Sequence, residues 1–294
     1  MNTHKMHEDE VEINVSLVSQ LVTTQVPQYA DFSIKPFAST GTDNAIFRLG
    51  HDMAIRLPRI KKAANHIEKE YEWLPKLAPL LPLQIPVPLK KGTADESYPY
   101  PWYIYRWLEG INATTEKIDF YQAANDLGEF ISALQKVDIT DAPQSRRGLP
   151  LSSRDKETRE AIMLLKDTFD PNQVTKIWEK ALAVPLWQED PVWIHGDLLP
   201  SNMLVKNGKL SAIIDFGTSG IGDPACDMMV AWTFFNAETR DVFREKINVD
   251  DATWERGRGW ALTFGLVALP YYEKTNPELV GIAKRTIDEV LIDK

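Results

Sequence analysis

Apolar residues recur along this chain with two periods, and the switches between them mark out its elements. Over residues 11–26, Ile13, Leu17, Val18, Leu21 and Val22 fall at helical spacing, and Pro27 ends the run. Alternation follows. Phe32–Phe37, Ala45–Leu49 and Met53–Leu57 read as three strands of an antiparallel meander, with Ser39–Asn44 as its first turn and Gly50-His51-Asp52 as its second. In the third strand Met53, Ile55 and Leu57 point to one face, Ala54 and Arg56 to the other. Residues 63–74 return to a helical period with Ile67, Tyr71 and Leu74 on one side. Prolines punctuate residues 79–88, Ile85-Pro-Val-Pro-Leu89 reads as extended, a polar loop runs from Gly92 to Ser97, and Trp102–Trp107 is an aromatic strand that Glu109-Gly110 breaks.

The second half is mostly helical in pattern. Phe120, Ala124, Leu127, Ile131 and Leu134 mark an amphipathic helix within 117–137. Residues 141–154 are polar with Pro143, Gly148 and Pro150, hence a loop, and 155–184 hold one or two helices broken at Asp170-Pro171. Met203–Lys206 and Leu210–Ile214 are short strands around Asn207-Gly208, a strong hairpin signal. Gly217, Gly220 and Gly222 form a flexible connection, and Asp223-Pro224 reads as an N-cap with proline in the first helical position. Helices are expected at 224–236, 250–272 and 277–292, with Trp232, Phe234, Phe235, Trp254, Trp260 and Phe264 as core.

The hairpin gives the chemistry its place. Asp197 and Asn202 precede it and Asp215 follows it, so a closed hairpin draws two acids and an amide to one sheet edge. Phosphoryl transfer needs such a set: one group to orient a hydroxyl and accept its proton, and hard oxygens to hold Mg²⁺ on a nucleoside triphosphate. The sequence His195-Gly196-Asp197-x4-Asn202, followed by Ile214-Asp215-Phe216-Gly217, resembles the catalytic and metal-binding loops of the aminoglycoside phosphotransferase family. The segment Gly222–Asp227 and the pattern Lys69-Glu70-x2-Trp73-Leu74 resemble that family as well. Protein kinases carry His-Arg-Asp at this loop; Gly196 in the middle place favours the small-molecule branch.

The resemblance implies an α+β, protein-kinase-like fold of two lobes. Residues 1–108 would be an antiparallel-sheet lobe with one packed helix, which binds the nucleotide. A hinge would fall at about 105–110, and 109–294 would be a larger, mainly helical lobe for catalysis and the acceptor. It implies Asp197 as the catalytic acid–base group, and Asn202 and Asp215 as Mg²⁺ ligands. ATP or GTP would be held by the turn Ser39, Thr40, Gly41 and Thr42, by Arg56 supported by Glu70, and by backbone at Arg106, Trp107 and Leu108. Family members usually have lysine where Arg56 stands, and Arg59 is a second cation that could share its task. Glu68 is the spare partner for Arg56, while Glu72 faces elsewhere. His195 and Asp227 would brace the catalytic loop; a general-base role is the alternative for His195.

Composition narrows the partners. A net charge of −9 over 294 residues, with no long basic run, argues against nucleic acid and anionic membranes and is compatible with a cationic acceptor. The single cysteine, Cys226, excludes an intramolecular disulfide and reads as a small buried hydrophobe. The polar N-terminus is no signal peptide, and Trp260–Leu269 is too short to span a bilayer, so a cytoplasmic protein is expected. The expected reaction moves the γ-phosphoryl group to a hydroxyl of a small molecule, an aminoglycoside-type antibiotic first. A macrolide or a metabolite such as an amino sugar or choline-like compound fits the same machinery. A non-catalytic nucleotide-binding pseudokinase and a metal-assisted hydrolase are the rival classes. Glu238, Asp241, Asp250, Asp251 and Glu255 read as exposed charges, with a pocket for a polyamine-like acceptor as the alternative. Oligomeric state is not legible.

Overall fold

Burial alternates along residues 44–49 and 53–58 as the sequence pattern requires, and it decides which elements can cover them. The computed structural model describes residues 10–37, 43–114 and 117–293. The chain divides into two units. The first comprises residues up to Leu80 with Gln84–Gly110 and Ala212–Gly217; the second comprises Leu81–Leu83, Ile111–Ser211 and the chain from Thr218 onward.

The first unit is built on five strands: β1 (Ile34–Phe37), β2 (Asn44–Leu49), β3 (Met53–Pro58), β4 (Pro88–Gly92) and β5 (Trp102–Arg106). They lie in the order β1-β2-β3-β5-β4, and every pairing is antiparallel. Ala45, Phe47, Leu49, Met53, Ile55 and Leu57 form one core with Val18, Leu21 and Val22 of helix α1 (Val15–Gln25). Asn14 caps α1 by accepting from the Leu17 N–H at 3.0 Å. Helix α2 (Lys61–Leu77) packs against β3, β4 and β5, so the sheet carries two helices rather than one. The stretch 85–89, extended in the sequence pattern, leads into an edge strand that runs from Pro88 to Gly92, with an irregular register between Pro88 and Lys90.

The second unit is mainly helical. Its helices are α3 (Phe120–Gln135), α4 (Asp155–Leu164), α5 (Pro171–Ala183), α6 (Ala225–Met228), α7 (Val230–Thr233), α8 (Ala237–Ile247), α9 (Asp251–Tyr272) and α10 (Pro277–Ile292). The break at Asp170-Pro171 falls as the sequence indicates, with Asp170 capping α5 through the Asn172 N–H. The expected helix 224–236 is instead two short pieces; at Met229 the hydrogen bonds tighten to i→i+3 (Met229 N to Cys226 O, 3.2 Å; Trp232 N to Met229 O, 3.0 Å). Helix α9 is buried along most of its length and packs on α10, α6, α5 and α4, which makes it the axis of this unit.

Small sheets carry the loops of interest. Strands β6 (Ile111–Asn112), β8 (Met203–Lys206) and β9 (Lys209–Ile213) form one of them, and β7 (Val192–Ile194) pairs antiparallel with β10 (Gly220–Gly222) in another. Asn207 and Gly208 both have positive φ, 56° and 76°, as the tight β8–β9 hairpin demands. The glycine connection after Asp215 is therefore a strand rather than free chain: Gly220 faces Ile194 and Gly222 faces Val192. Among the described residues no helix is long and apolar enough to cross a membrane. Trp232, Phe234, Phe235, Trp254, Trp260 and Phe264 are all buried.

Candidate functional site

In the first unit, Arg56 and Glu70 meet on the α2 side of the sheet. Alternation puts Arg56 on the face opposite Ile55, and α2 turns Glu70 towards it. The Arg56 Nη1 to Glu70 Oε2 distance is 2.5 Å, and Arg56 Nη2 lies 3.5 Å from Asp215 Oδ1. With its amide in the orientation that satisfies both groups, Asn44 adds an oxygen accepting from Arg56 Nε (3.3 Å) and Nη2 (3.1 Å). Burial alone would lower the pKa of Arg56, but the charges of Glu70 and Asp215 outweigh it and hold the guanidinium protonated. The other candidates are engaged elsewhere: Glu68 pairs with Lys91 at 2.6 Å, Glu72 with Lys76 at 3.1 Å, and Arg59 lies 4.0 Å from Glu10.

Asp215 stands out by its backbone. Its φ is +63°, uncommon for a non-glycine residue, and its side chain is half exposed. One residue of α2 that sequence reasoning passed over holds the same segment: Lys69 Nζ donates to the Gly217 carbonyl at 2.9 Å. The helix thus grips Asp215-Phe216-Gly217 from two positions, through Glu70 by way of Arg56 and through Lys69 directly.

The nucleotide candidates at the sheet edge divide. Ser39, Thr40, Gly41 and Thr42 lie outside the described residues. The Arg106 N–H donates to Val87 O at 3.3 Å and the Trp107 N–H to Asp52 O at 2.7 Å. Those two N–H groups are therefore committed within the first unit. The Trp107 ring is covered by the Arg48 guanidinium at 3.9 Å. Leu108 lies two residues beyond the end of β5.

In the second unit the loop after β7 carries Asp197. Gly196 has φ +81°, and a Cβ there would stand 3.1 Å from both Arg147 Cβ and Thr218 Oγ1, so glycine fits this place on two counts. Asp227 is fully buried and accepts the backbone N–H of His195 at 2.8 Å and of Gly196 at 2.7 Å. His195 is buried too; its Nδ1 accepts the Asp197 N–H at 3.2 Å, and its carbonyl accepts from Thr218 Oγ1 at 3.0 Å. One ring nitrogen of His195 is thus engaged by the loop's own backbone. Asn202 donates through Nδ2 to the Asp197 carbonyl (2.9 Å) and to Asp197 Oδ2 (3.1 Å), which turns its amide oxygen away as a hard donor for a cation.

Burial raises the Asp227 carboxyl to about 7, against the two N–H bonds that favour its ionised form, and the Asp197 charge adds to the rise. A folded-state value above the unfolded one means stability is greatest at low pH and is lost as pH climbs through about 7. Asp227→Asn removes that titration while adding a fixed penalty, because an amide cannot accept from two N–H groups on two oxygens. The gap in unfolding free energy between wild type and variant should therefore narrow between pH 5 and pH 8, as measured by urea titration; a constant gap would contradict the buried-carboxylate picture.

Asp223 proves to be more than a helix cap. Its Oδ1 accepts the Ala225 N–H at 2.9 Å, and both oxygens accept from the buried Arg256 of α9 (Nε 2.8 Å, Nη2 3.1 Å). Cys226 is fully buried with its thiol directed at the Gly196 carbonyl, and burial pushes its pKa up, so it behaves as a small core residue. The acids considered for a polyamine pocket are mostly structural: Asp250 caps α9, Asp251 pairs with Arg244, Glu255 with Lys180, and Glu238 accepts from Tyr121.

The family model described as phosphotransferase enzyme family (APH) matches residues 33–260. Two aminoglycoside 3'-phosphotransferases, from Escherichia coli and Streptomyces fradiae, are each 28% identical, over 114 and 160 residues or 36% and 50% of this chain. The chain spans about half the length of these curated relatives, 41% and 58% respectively. Among solved structures, the GDP and kanamycin complex of an APH(2") enzyme superposes with a TM-score of 0.71 at 19% identity, over 93% of this chain and 97% of that one. A macrolide 2'-phosphotransferase from Brachybacterium faecium, as apoenzyme, gives 0.59 at 23% identity, over 85% and 91%. At such identities the likeness is one of fold.

Proposed function

The chain belongs to the phosphotransferase enzyme family, and on that premise we propose that it moves the γ-phosphoryl group of ATP or GTP to a hydroxyl of a small molecule, an aminoglycoside-type compound first. The observation that carries the reading is the loop Gly196–Asn202, where a buried carboxylate fixes the backbone and Asn202 fixes the Asp197 carboxylate. A group so held can orient a hydroxyl and take its proton, and positioning supplies most of the rate in this chemistry.

Asn202 and Asp215 would hold Mg²⁺. Both offer hard oxygens, and the amide oxygen of Asn202 is presented because its nitrogen is tied to Asp197. The ion would neutralise charge on the phosphates. Arg56, kept charged by Glu70, would give phosphate oxygens its positive charge in place of the lysine ammonium. Arg56→Met should raise KM for the nucleotide about tenfold, the worth of one charge-assisted contact, with KM for the acceptor within twofold of wild type by steady-state kinetics. An unchanged nucleotide KM would remove Arg56 from the phosphate site. The kanamycin complex of one structural neighbour supports an aminoglycoside as first acceptor, and the macrolide 2'-phosphotransferase neighbour makes a macrolide the alternative. Nucleotide turnover measured across aminoglycosides, macrolides and amino-alcohol metabolites separates them. Loss of turnover on chelation of Mg²⁺ would support the metal assignment, and turnover indifferent to it would oppose that assignment.

A further inference from the structure

The loop Ser145–Gly148 is fastened to the chain from Thr218 to Asp223 by its backbone. Ser145 N donates to Ile221 O and Asp223 N to Gly148 O, both at 3.0 Å. Ser145 Oγ donates to Thr218 O at 2.7 Å and accepts from Arg147 N at 3.1 Å. A Cβ on Gly148 would stand 2.5 Å from Gly222 Cα, so the two backbones touch with no side chain between them. On this platform the Arg147 guanidinium lies 6.0 Å from the centre of the buried Trp260 ring, and its Nη2 lies 4.0 Å from Asp197 Oδ1. The other carboxylate oxygen, Oδ2, is the one that accepts from Asn202.

The two oxygens of Asp197 are thus divided between two holders. A carboxylate turns easily about its last torsion, which has a broad, nearly two-fold profile, so contacts on both oxygens fix its orientation better than contacts on one. A cation on the opposite oxygen restrains that motion. The pair is about a quarter exposed, 27% for Arg147 and 24% for Asp197, and ion pairs at such exposure add little to stability. A loop docked by three hydrogen bonds and a glycine contact is out of proportion to that small gain, but it suits the placing of a charge.

Resting on the reading of Asp197 as the proton acceptor, we propose that Arg147 is a positioning residue of the phosphotransfer, holding Oδ1 of Asp197 while Asn202 holds Oδ2. It acts through Asp197.

The test compares Arg147→Met and Arg147→Lys with wild type by steady-state kinetics, thermal unfolding and crystallography of each variant. Arg147→Met should lower kcat about tenfold or more, since a small misplacement of a reacting group carries a penalty of this order. KM for the nucleotide should stay within about twofold. Arg147→Lys, which keeps the charge, should recover a large part of kcat, and neither variant should shift the melting temperature by more than about 2 °C. In the Arg147→Met crystal the Asp197 carboxylate should be turned or split between orientations. Unchanged kcat, or a loss that follows the melting temperature and is not recovered by lysine, would overturn the proposal. If wild type turned over no acceptor, the phosphotransferase reading would fail on its own. The carboxylate orientation would still decide on Arg147, and an Asp197 unmoved in the methionine variant would overturn it.

Discussion

Replacing Asp197 by alanine is expected to lower kcat by about a hundredfold to ten-thousandfold, the range a general base supplies, while nucleotide affinity stays within about threefold of wild type. The expectation follows from how the groups are distributed. Asp197 belongs to the second unit, and the partners described for it lie there too: its N–H goes to His195, its carbonyl and Oδ2 accept from Asn202, and its Oδ1 faces Arg147. The cation assigned to phosphate, Arg56, belongs to the first unit and is held there by Glu70 and Asn44. Loss of the carboxylate should therefore remove the proton acceptor without loosening the phosphate clamp. Calorimetric titration with nucleotide and Mg²⁺, beside steady-state rates, separates the two effects. A variant that lost nucleotide affinity but kept its residual turnover would reverse the assignment.

The largest expected effect on stability comes from Arg256→Leu. The guanidinium is buried in α9 and gives Nε and Nη2 to the buried Asp223, Nη1 to the Pro185 carbonyl at 2.6 Å, and Nη2 also to Thr253 Oγ1 at 3.1 Å. Removing one partner of such a pair leaves a carboxylate in low dielectric with no counter-charge, which destabilises by about 3–5 kcal/mol. The double variant Asp223→Leu/Arg256→Leu should be less unstable than the single one, because it leaves no orphaned charge. Urea titrations of both variants measure the difference. A single variant within about 1 kcal/mol of wild type would mean that water or another group compensates Asp223.

The same pair shows where the sequence stopped being legible. Asp223-Pro224 has a local explanation as a helix start, and the Ala225 N–H does bond to Asp223. Its dominant partner is 33 residues further on, and no periodicity links the two. The sheet of the first unit could be read because alternation is itself the signal: Met53, Ile55 and Leu57 are buried and Ala54 and Arg56 are half-buried, as the pattern requires. Helix α8 was not legible by the same means, since among its eleven residues only Phe243 and Ile247 supply large buried apolar side chains. Its ends were written locally, in Asn236 as a cap and Asn248 in the left-handed conformation, but a stripe search passes over caps. Short strands β7 and β10 were missed as a pair because three residues, two of them glycine in β10, carry no alternation.

The site divides in a similar way. Asp197, Asn202, Asp215 and Asp227 could be named because their spacing around a hairpin resembles a known pattern. Arg147 could not, as it lies in a polar loop where arginine is ordinary and only the docking of that loop brings it to Asp197. Lys69 sat inside a pattern already quoted for its neighbour Glu70, yet its bond to the Gly217 carbonyl depends on the path of a segment 148 residues away.

The most direct measurement of the central claim follows the labelled γ-phosphate of ATP and GTP, with Mg²⁺ and an aminoglycoside panel, in wild type and Asp197→Ala. The account predicts label in an ester on an acceptor hydroxyl with wild type and almost none with the variant. Label released only as inorganic phosphate, at the same rate in both proteins, would contradict it.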